Sequence, residues 1–235
     1  MFGQRERSIE PSQTITLEID GQCHLSEALV SDINHACDRV EEAGEASMLL
    51  LYVRGRGAFD IDNIWPGSLR KGDIHLVSHW EQALRRVERL GAMTVTAAEQ
   101  ICAGVALEVL LVTDYRLARS DFLIHFRHPS GGIWPSMSLY RLANQLGIGR
   151  SRRIALLSSD ITAKRAFDLD LIDEVVDDLK SPIDRFTSSL KHGLRTDLAL
   201  RRRLLLDAIG ATFEDALGVH LAACDRTVRK MHHTE

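Results

Sequence analysis

A nearly unbroken apolar run, Ala103 to Val112, limits the fold of this chain more than any other segment, and it lies within Ala98–Asp114. Glu108 interrupts that run. A carboxylate in such a run is costly to bury unless it is paired, protonated or used in chemistry. Burial raises the pKa of a carboxyl group toward neutrality, as general acid–base catalysis requires. Two structural alternatives stay open: Glu108 lies on the exposed edge of an amphipathic helix, or it pairs with an arginine.

Composition and charge bound the class of protein. The chain has 235 residues, 45% of them hydrophobic, and a net charge of −4. These values predict one large domain, or one domain with a small appendage, and no surface for nucleic acid or anionic membranes. No apolar run is long enough to span a membrane, and the polar N-terminus shows no signal-peptide segment. The cysteines are scattered without metal-ligand spacing, so we expect a cytoplasmic protein with no metal site: Cys23, Cys37, Cys102 and Cys224.

The first part of the chain has the pattern of a parallel α/β layer. Thr14–Asp20 alternates apolar and polar residues and ends at Gly21, as a strand does. Leu25–Val40 places its apolar residues on one helical face, and Ser47–Val53 is a continuous apolar run typical of a strand covered on both faces. The order strand, helix, strand therefore predicts an α/β fold.

Two long irregular stretches interrupt the later elements. Arg54–Gly72 is rich in glycine and charge, and loops of this length in a compact domain are usually functional or mobile. His125–Pro135 is a second irregular stretch. Each contains an Ile-Trp-Pro triplet, whose tryptophans, Trp65 and Trp134, either face one cavity or pack in the core. The regular elements predicted around them are a helix capped by Asp73 with an apolar stripe to Leu90, strands Met93–Ala97 and Tyr115–Ala118, a helix over Ser136–Leu146, a helical segment Ile154–Ser158, a helix capped by Thr162 and a strand Asp173–Val176.

Beyond residue 178 the sequence predicts two or three helices. The last carries an apolar stripe between Phe213 and Val228, which needs a surface to cover in its own chain or in a neighbouring subunit. We therefore divide the chain into a core, residues 1–178, and a C-terminal helical region, residues 179–235, for oligomerisation or for covering the site.

Several motifs between Ala98 and Val176 resemble the enoyl-CoA hydratase/isomerase (crotonase) superfamily. Ala103-Gly104-Val105-Ala106-Leu107-Glu108 resembles its xGGGxE turn and helix, and Arg141-Leu142 followed by Gly147 resembles its RLxxxxG helix. Ile161-Thr162-Ala163 with Leu171–Val176 resembles its closing ITAxxAxxxGLVDEVV motif. The resemblance covers about residues 14–178 and implies a crotonase-like spiral of ββα units.

Two longer segments resemble one group within the superfamily, the small hydratase-like (DpgB-type) component of 3,5-dihydroxyphenylglycine biosynthesis. Ser78–Leu90 is similar to its SKWERALRRLERL segment, and Trp134–Leu142 is similar to its WPGMALYRL segment.

The superfamily resemblance implies a site that binds an acyl-CoA thioester and stabilises its enolate with two backbone N–H groups. One donor maps onto Val105, where the family has glycine, and a side chain there crowds the approach. The other maps near Pro66, which has no N–H, so the donor is Gly67 or a neighbour, or the oxyanion hole is incomplete. Trp65, Gly104 and Trp134 are the predicted pocket residues.

The acid–base pair departs from the hydratase pattern. Glu108 matches the first catalytic glutamate, whereas the second would lie near Arg127–His128, where the sequence has no carboxylate. His128 is the candidate second acid or base, with a solvent-facing loop histidine as the alternative. Four cationic side chains are candidates for binding the phosphates of CoA: Arg54, Arg56, Arg70 and Lys71. Exposure of these side chains to solvent explains their presence equally well.

Taken together, these resemblances imply an acyl-CoA enzyme, with no cofactor other than the coenzyme A of its substrate. It would assist a type III polyketide synthase in dehydration or aromatisation toward 3,5-dihydroxyphenylacetyl-CoA. A reaction that uses Glu108 as its single base fits these differences from the hydratase pattern better than hydration by two glutamates. The alternatives are a non-catalytic crotonase-fold subunit that binds the synthase or its intermediate, and a stand-alone hydratase of fatty enoyl-CoA. Crotonase-like proteins commonly form trimers or paired trimers, so we expect a homotrimer or hexamer.

Overall fold

A five-stranded parallel sheet is the centre of the part of the chain that the computed structural model describes, residues 13–44, 47–55, 74–126, 136–157, 160–190 and 198–232. Its strands lie in the order β1, β2, β3, β5, β8, and all neighbours are parallel. Their bounds are β1 (Thr14–Asp20), β2 (Met48–Arg54), β3 (Met93–Glu99), β5 (Tyr115–Arg119) and β8 (Glu174–Val176).

The central strands are apolar because both faces of the sheet are covered. In β2, Leu49, Leu51 and Val53 are fully buried in the main core, while Met48 and Leu50 point to a smaller cluster on the other face. Parallel pairing sets Leu51 beside Leu17 of β1 and Thr96 of β3. The predicted α/β fold with a parallel sheet is thus confirmed.

Helices cover this sheet and continue beyond it. Ser26 begins α1 as its N-cap, with the side chain accepting a hydrogen bond from the Leu29 N–H at 3.2 Å. The helix extends to Ala43, past the predicted end at Val40, and Thr162 caps its own short helix as predicted. The helix bounds are α1 (Glu27–Ala43), α2 (Ile74–Glu88), α3 (Val105–Leu111), α4 (Ser138–Leu157), α5 (Ala163–Asp168), α6 (Lys180–Leu190), α7 (Leu198–Ala208) and α8 (Phe213–His232).

The helix α4 joins two segments that the sequence pattern separates. Gly147 lies inside it with φ of 76° and ψ of 158°, outside helical geometry, so the axis is kinked there. The predicted helix ending at Leu146 and the predicted segment from Ile154 are the two sides of this kink.

A second sheet, with three strands, was not predicted from the sequence. It contains β4 (Ile101–Ala103), β6 (Leu123–His125) and β7 (Asp160–Thr162), with β4 parallel to β6 and β6 antiparallel to β7. The chain passes from β3 to β4 through Gln100, whose φ is +60°. The unit formed by β3, β4 and α3 therefore turns a corner, and α3 follows directly from β4.

Close backbone packing permits that corner. A Cβ atom at Gly21 would lie 1.9 Å from the carbonyl oxygen of Ile101, and one at Gly55 would lie 2.7 Å from the Ile101 nitrogen. The Ala103 N–H donates to the Gly21 carbonyl at 2.9 Å. Glycine is required at both positions because β4 crosses directly over the ends of β1 and β2.

The C-terminal region is in contact with the core. Leu179, Ile183 and Phe186 pack on the face of the sheet that carries the smaller apolar cluster, and the ring of Phe186 stacks on Tyr115 with centroids 4.8 Å apart. Much of the predicted stripe on α8 is exposed, from Phe213 (75%) to Val228 (50%). The boundary at residue 178 stays a prediction. Among the described helices, none is both long and apolar enough to span a membrane.

Candidate active site

Glu108 lies inside the protein. Its helix, α3, has seven residues, and every residue from Ala106 to Leu111 is buried, so the side chain of Glu108 has no exposed edge to occupy. Glu108 retains 3% of its accessible surface. The alternative of an exposed amphipathic helix is therefore wrong.

Two neutral donors hold the Glu108 carboxyl group. The indole Nε1–H of Trp80, on α2, donates to its Oε2 atom, and the Ser136 hydroxyl forms a second hydrogen bond. Trp80 is 1% exposed, so its N–H needs an acceptor inside the protein. The arginine pair that the sequence left open is not formed within the described residues. Arg141 is the cation whose charge acts on Glu108, but its Nε and Nη2 atoms donate to other carboxylates.

Burial dominates the titration of this carboxyl group. Loss of hydration raises the pKa of Glu108 to about 7, against the lowering effects of the hydrogen bonds from Trp80 and Ser136. The charge of Glu81 raises this pKa further, and the charge of Arg141 lowers it. A carboxyl group with a pKa near neutrality can both accept and return a proton, which suits a general acid–base residue.

Arg141 joins α2 to α4 beside Glu108. Its Nε donates to Glu88 at 2.9 Å and its Nη2 to Glu81 at 2.8 Å. The residue is 6% exposed, and its buried Nη1 has no hydrogen-bond partner in the described part of the chain. Because two carboxylates bind this guanidinium, its charge stabilises the Glu108 carboxylate only weakly.

The turn before α3 begins the helix at Gly104. Gly104 is the N-cap residue, with φ of 54° and ψ of −127°, a conformation that favours glycine. Val105 is the first residue of α3 and is partly buried against the core. N–H groups in the first turn of a helix have no intrahelical acceptor, and Val105 lies in that turn, close in sequence to Glu108.

Arg54 lies at the carboxyl end of β2 and is already paired. It forms an ion pair with Glu99, which also binds Arg119, and its guanidinium lies 4.9 Å from the centre of the Tyr52 ring. None of these contacts joins Arg54 to the Glu108 cluster. A CoA phosphate would have to compete with Glu99, and this contact stays a prediction.

Seven of the predicted site residues lie outside the described residues: Trp65, Gly67, Arg56, Arg70, Lys71, His128 and Trp134. Pro66 lies outside them as well. Ser136 is the first described residue after residues 127–135, and its side chain is hydrogen-bonded to Glu108.

The sequence interpretation assigned no site role to Trp80, Ser136 or Arg141. A signal existed for Trp80, since a buried indole N–H needs an acceptor and a buried carboxylate needs a donor. The sequence held no comparable signal for Ser136 or for the ion pairs of Arg141, since these depend on how α4 packs against α2. Among the described residues, no group of three or more His, Cys, Asp or Glu side chains is arranged to hold a metal ion.

Curated proteins include sequences similar to this chain, although no family model matches it. An enoyl-CoA hydratase of Amycolatopsis orientalis is 38% identical over 216 residues, which cover 92% of this chain and 96% of that protein. The mitochondrial Delta(3,5)-Delta(2,4)-dienoyl-CoA isomerase of Dictyostelium discoideum is 26% identical over 104 residues, 44% of this chain and 36% of the isomerase.

Solved structures share the fold. An enoyl-CoA hydratase from Shewanella pealeana superposes with a TM-score of 0.78 at 17% identity, over 93% of this chain and 85% of the hydratase. The enoyl-CoA hydratase of Bacillus anthracis gives a TM-score of 0.76 at 19% identity, over 92% and 86% of the two chains. The overall arrangement of the sheet and helices is therefore common to all three proteins.

Proposed function

Since this chain belongs to the enoyl-CoA hydratase/isomerase (crotonase) superfamily, we propose that it acts on an acyl-CoA thioester with Glu108 as its acid–base residue. The observation that carries the proposal is the burial of Glu108, with a pKa of about 7, in the helix that begins at the Gly104 turn. A carboxyl group in that state is expensive to maintain for structural reasons alone.

The proposed reaction begins with proton transfer at the α-carbon. The Glu108 carboxylate takes the α-proton, and the C–H electron pair moves into the thioester to give an enolate. The backbone N–H of Val105, with a second donor at Gly67, stabilises the negative charge on the thioester oxygen. Glu108 then returns its proton at another carbon, which isomerises a double bond, or protonates a departing β-hydroxyl, which leaves as water.

One-base chemistry of this kind needs no second carboxylate. His128 remains the candidate for a second acid or base, within a pocket that includes Trp65 and Trp134. Two-glutamate hydration of a simple enoyl-CoA has no support in the sequence, which lacks a carboxylate at the second position.

The finer part of the proposal is assistance to a type III polyketide synthase, with dehydration or aromatisation toward 3,5-dihydroxyphenylacetyl-CoA. Its support is the location of the two segments that resemble the dihydroxyphenylglycine component. Ser78–Leu90 supplies Trp80 and Glu81, while Trp134–Leu142 supplies Ser136 and Arg141, so both segments provide neighbours of Glu108.

Exchange of the α-proton tests the acyl-CoA proposal. Butyryl-CoA or 3-hydroxybutyryl-CoA is incubated in D2O with the wild type, with Glu108→Gln, and with Glu174→Gln as a control at a partly buried carboxylate that pairs with Arg185. We expect Glu108→Gln to lose a factor of about 10²–10⁴ in exchange rate and the control to keep its rate. Equal rates for all three proteins would refute the role of Glu108.

The synthase proposal has its own test. The products of a type III synthase that condenses malonyl-CoA are measured alone, with the wild type and with Glu108→Gln. An increase in aromatic CoA product that depends on the Glu108 carboxylate supports catalysis.

The second candidate, a non-catalytic subunit that binds the synthase or its intermediate, is favoured by one observation. Trp80 and Ser136 already satisfy the Glu108 carboxyl group, as in a structural interaction. Equal stimulation by wild type and Glu108→Gln would establish this alternative.

We also propose that the chain assembles as a homotrimer or hexamer through α8. Its support is the exposed apolar stripe, which includes Phe213 (75% exposed) and Leu221 (58%). Sedimentation of wild type and Leu221→Glu tests it: we expect the variant to dissociate, and a monomeric wild type would refute the assembly.

A further inference from the structure

We infer that Trp80 is a positioning residue for Glu108, whose indole N–H fixes the carboxyl oxygen Oε2 and so sets the orientation in which the carboxyl group meets the substrate. This inference rests on the proposed function for its catalytic consequence. The coupling between the two side chains can be measured without any substrate.

The packing of Trp80 makes it a rigid donor. The residue is 1% exposed and lies on the buried face of α2 together with Ala83, Leu84 and Val87. An indole held on all sides cannot rotate its N–H to another acceptor, so Oε2 has one fixed partner. The Ser136 hydroxyl is shared with Ser138, whose backbone N–H donates to it at 3.2 Å and whose hydroxyl also hydrogen-bonds it, and Ser136 is only partly buried. Trp80 is therefore the group that determines the orientation of the carboxyl group.

The charges around Glu108 explain why a neutral donor suits this position. Glu81 of α2 faces it with a like charge, and Arg141 of α4 acts on it with the opposite charge. Arg141 is itself bound by Glu81 and Glu88, so little positive charge is left for Glu108. A cation in place of Trp80 would hold Glu108 permanently ionised, whereas an indole N–H orients the carboxyl group and still allows it to take up a proton.

The first test uses the indole resonance in the free protein. The chain has three tryptophans, so a Trp65→Phe/Trp134→Phe variant leaves the Nε1–H of Trp80 as the sole indole signal in a ¹H–¹⁵N spectrum. We expect this signal to move with a midpoint near neutrality when the sample is titrated from about pH 5 to about pH 9. The same titration with Glu108→Gln added should leave the signal fixed. A signal that does not move, or that moves equally without the carboxyl group, would overturn the inference.

The second test measures the pH profile of α-proton exchange in Trp80→Phe. Without the indole N–H, Glu108 should bind its proton at least about tenfold more tightly, so the acidic limb moves to higher pH and kcat falls with little change in KM. Phe122→Leu is the control, because Phe122 is another aromatic residue with 1% exposure. Phe122→Leu should be less stable than the wild type, but the acidic limb of its pH profile should stay at the same pH.

An unchanged profile in Trp80→Phe would overturn the positioning role. If the wild type shows no exchange with any acyl-CoA, the proposed function fails, while the indole titration still decides whether Trp80 and Glu108 are coupled. The two failures are therefore distinguishable.

Discussion

Arg202 of α7 binds Asp114, 88 residues earlier in the chain, through its Nε at 2.6 Å. The same guanidinium donates to the backbone carbonyls of Leu90 and Ala92 between α2 and β3. It is 8% exposed. This side chain therefore links α7 to Asp114, just before β5, and to the segment between α2 and β3.

Replacing Arg202 by alanine should destabilise the protein by about 3 kcal/mol, because it removes the cation that pairs with Asp114 and the donor to two backbone carbonyls. Urea denaturation measures the loss. Arg203→Ala is the matched control, since that side chain is 67% exposed and pairs with Asp207 at 3.4 Å; we expect a change below about 0.5 kcal/mol. Equal losses in both variants would contradict the anchoring role of Arg202.

The stability of the wild type should fall between about pH 5 and about pH 8 relative to Glu108→Gln. The pKa of Glu108 is raised from 4.5 to about 7 by burial, so in this window the folded protein binds a proton that the unfolded chain has released. The stabilisation that comes from this proton is therefore present at low pH and is lost as the pH rises through about 7. The expected relative loss is about 2–3 kcal/mol. Parallel pH dependence of the two proteins in urea denaturation would show that Glu108 titrates normally.

Arg141→Met should cost about 3 kcal/mol of stability because it removes the buried cation that Glu81 and Glu88 share, and leaves Glu88 with the half-exposed Arg85 alone. It should also raise the pKa of Glu108, since Arg141 lowers that pKa by its charge. Thermal denaturation and the indole titration measure the two effects. Arg150→Met serves as control: that side chain is 54% exposed and pairs with the exposed Asp170, so its loss should change stability by less than about 1 kcal/mol and leave the titration unmoved.

Gly104→Ala should destabilise the protein by about 1–2 kcal/mol, because a side chain is strained at φ of 54° and ψ of −127°. It should also reduce α-proton exchange, because the turn orients the Val105 N–H. Gly149→Ala is the comparison: Gly149 lies in α4, a methyl group there would meet no atom within 4 Å, and the change should be neutral or stabilising by about 0.5–1 kcal/mol. A harmless Gly104→Ala would show that the turn tolerates a side chain.

The parallel sheet follows from the order of the residues alone, whereas the burial of the Glu108 carboxyl group was decided by the structure. Strands such as Met48–Arg54 are apolar along their length, and a strand covered on both faces has that pattern whatever its neighbours are. The apolar run from Ala103 to Val112 likewise favours a buried segment, although it leaves open whether Glu108 itself lies on an exposed edge. These are local properties, encoded in consecutive residues.

The surroundings of that carboxyl group depend instead on how distant parts of the chain pack together. The strands β4, β6 and β7 have three residues each, too few for a periodic pattern, and β4 passes closely over Gly21 and Gly55. Trp80 and Ser136 meet Glu108 across separations of 28 residues in each direction, and Arg141 binds Glu81 across 60. Hydrogen bonds and ion pairs of this kind depend on distances between helices that no local pattern encodes, so the packing of α2 and α4 against α3 determines the charge state of Glu108.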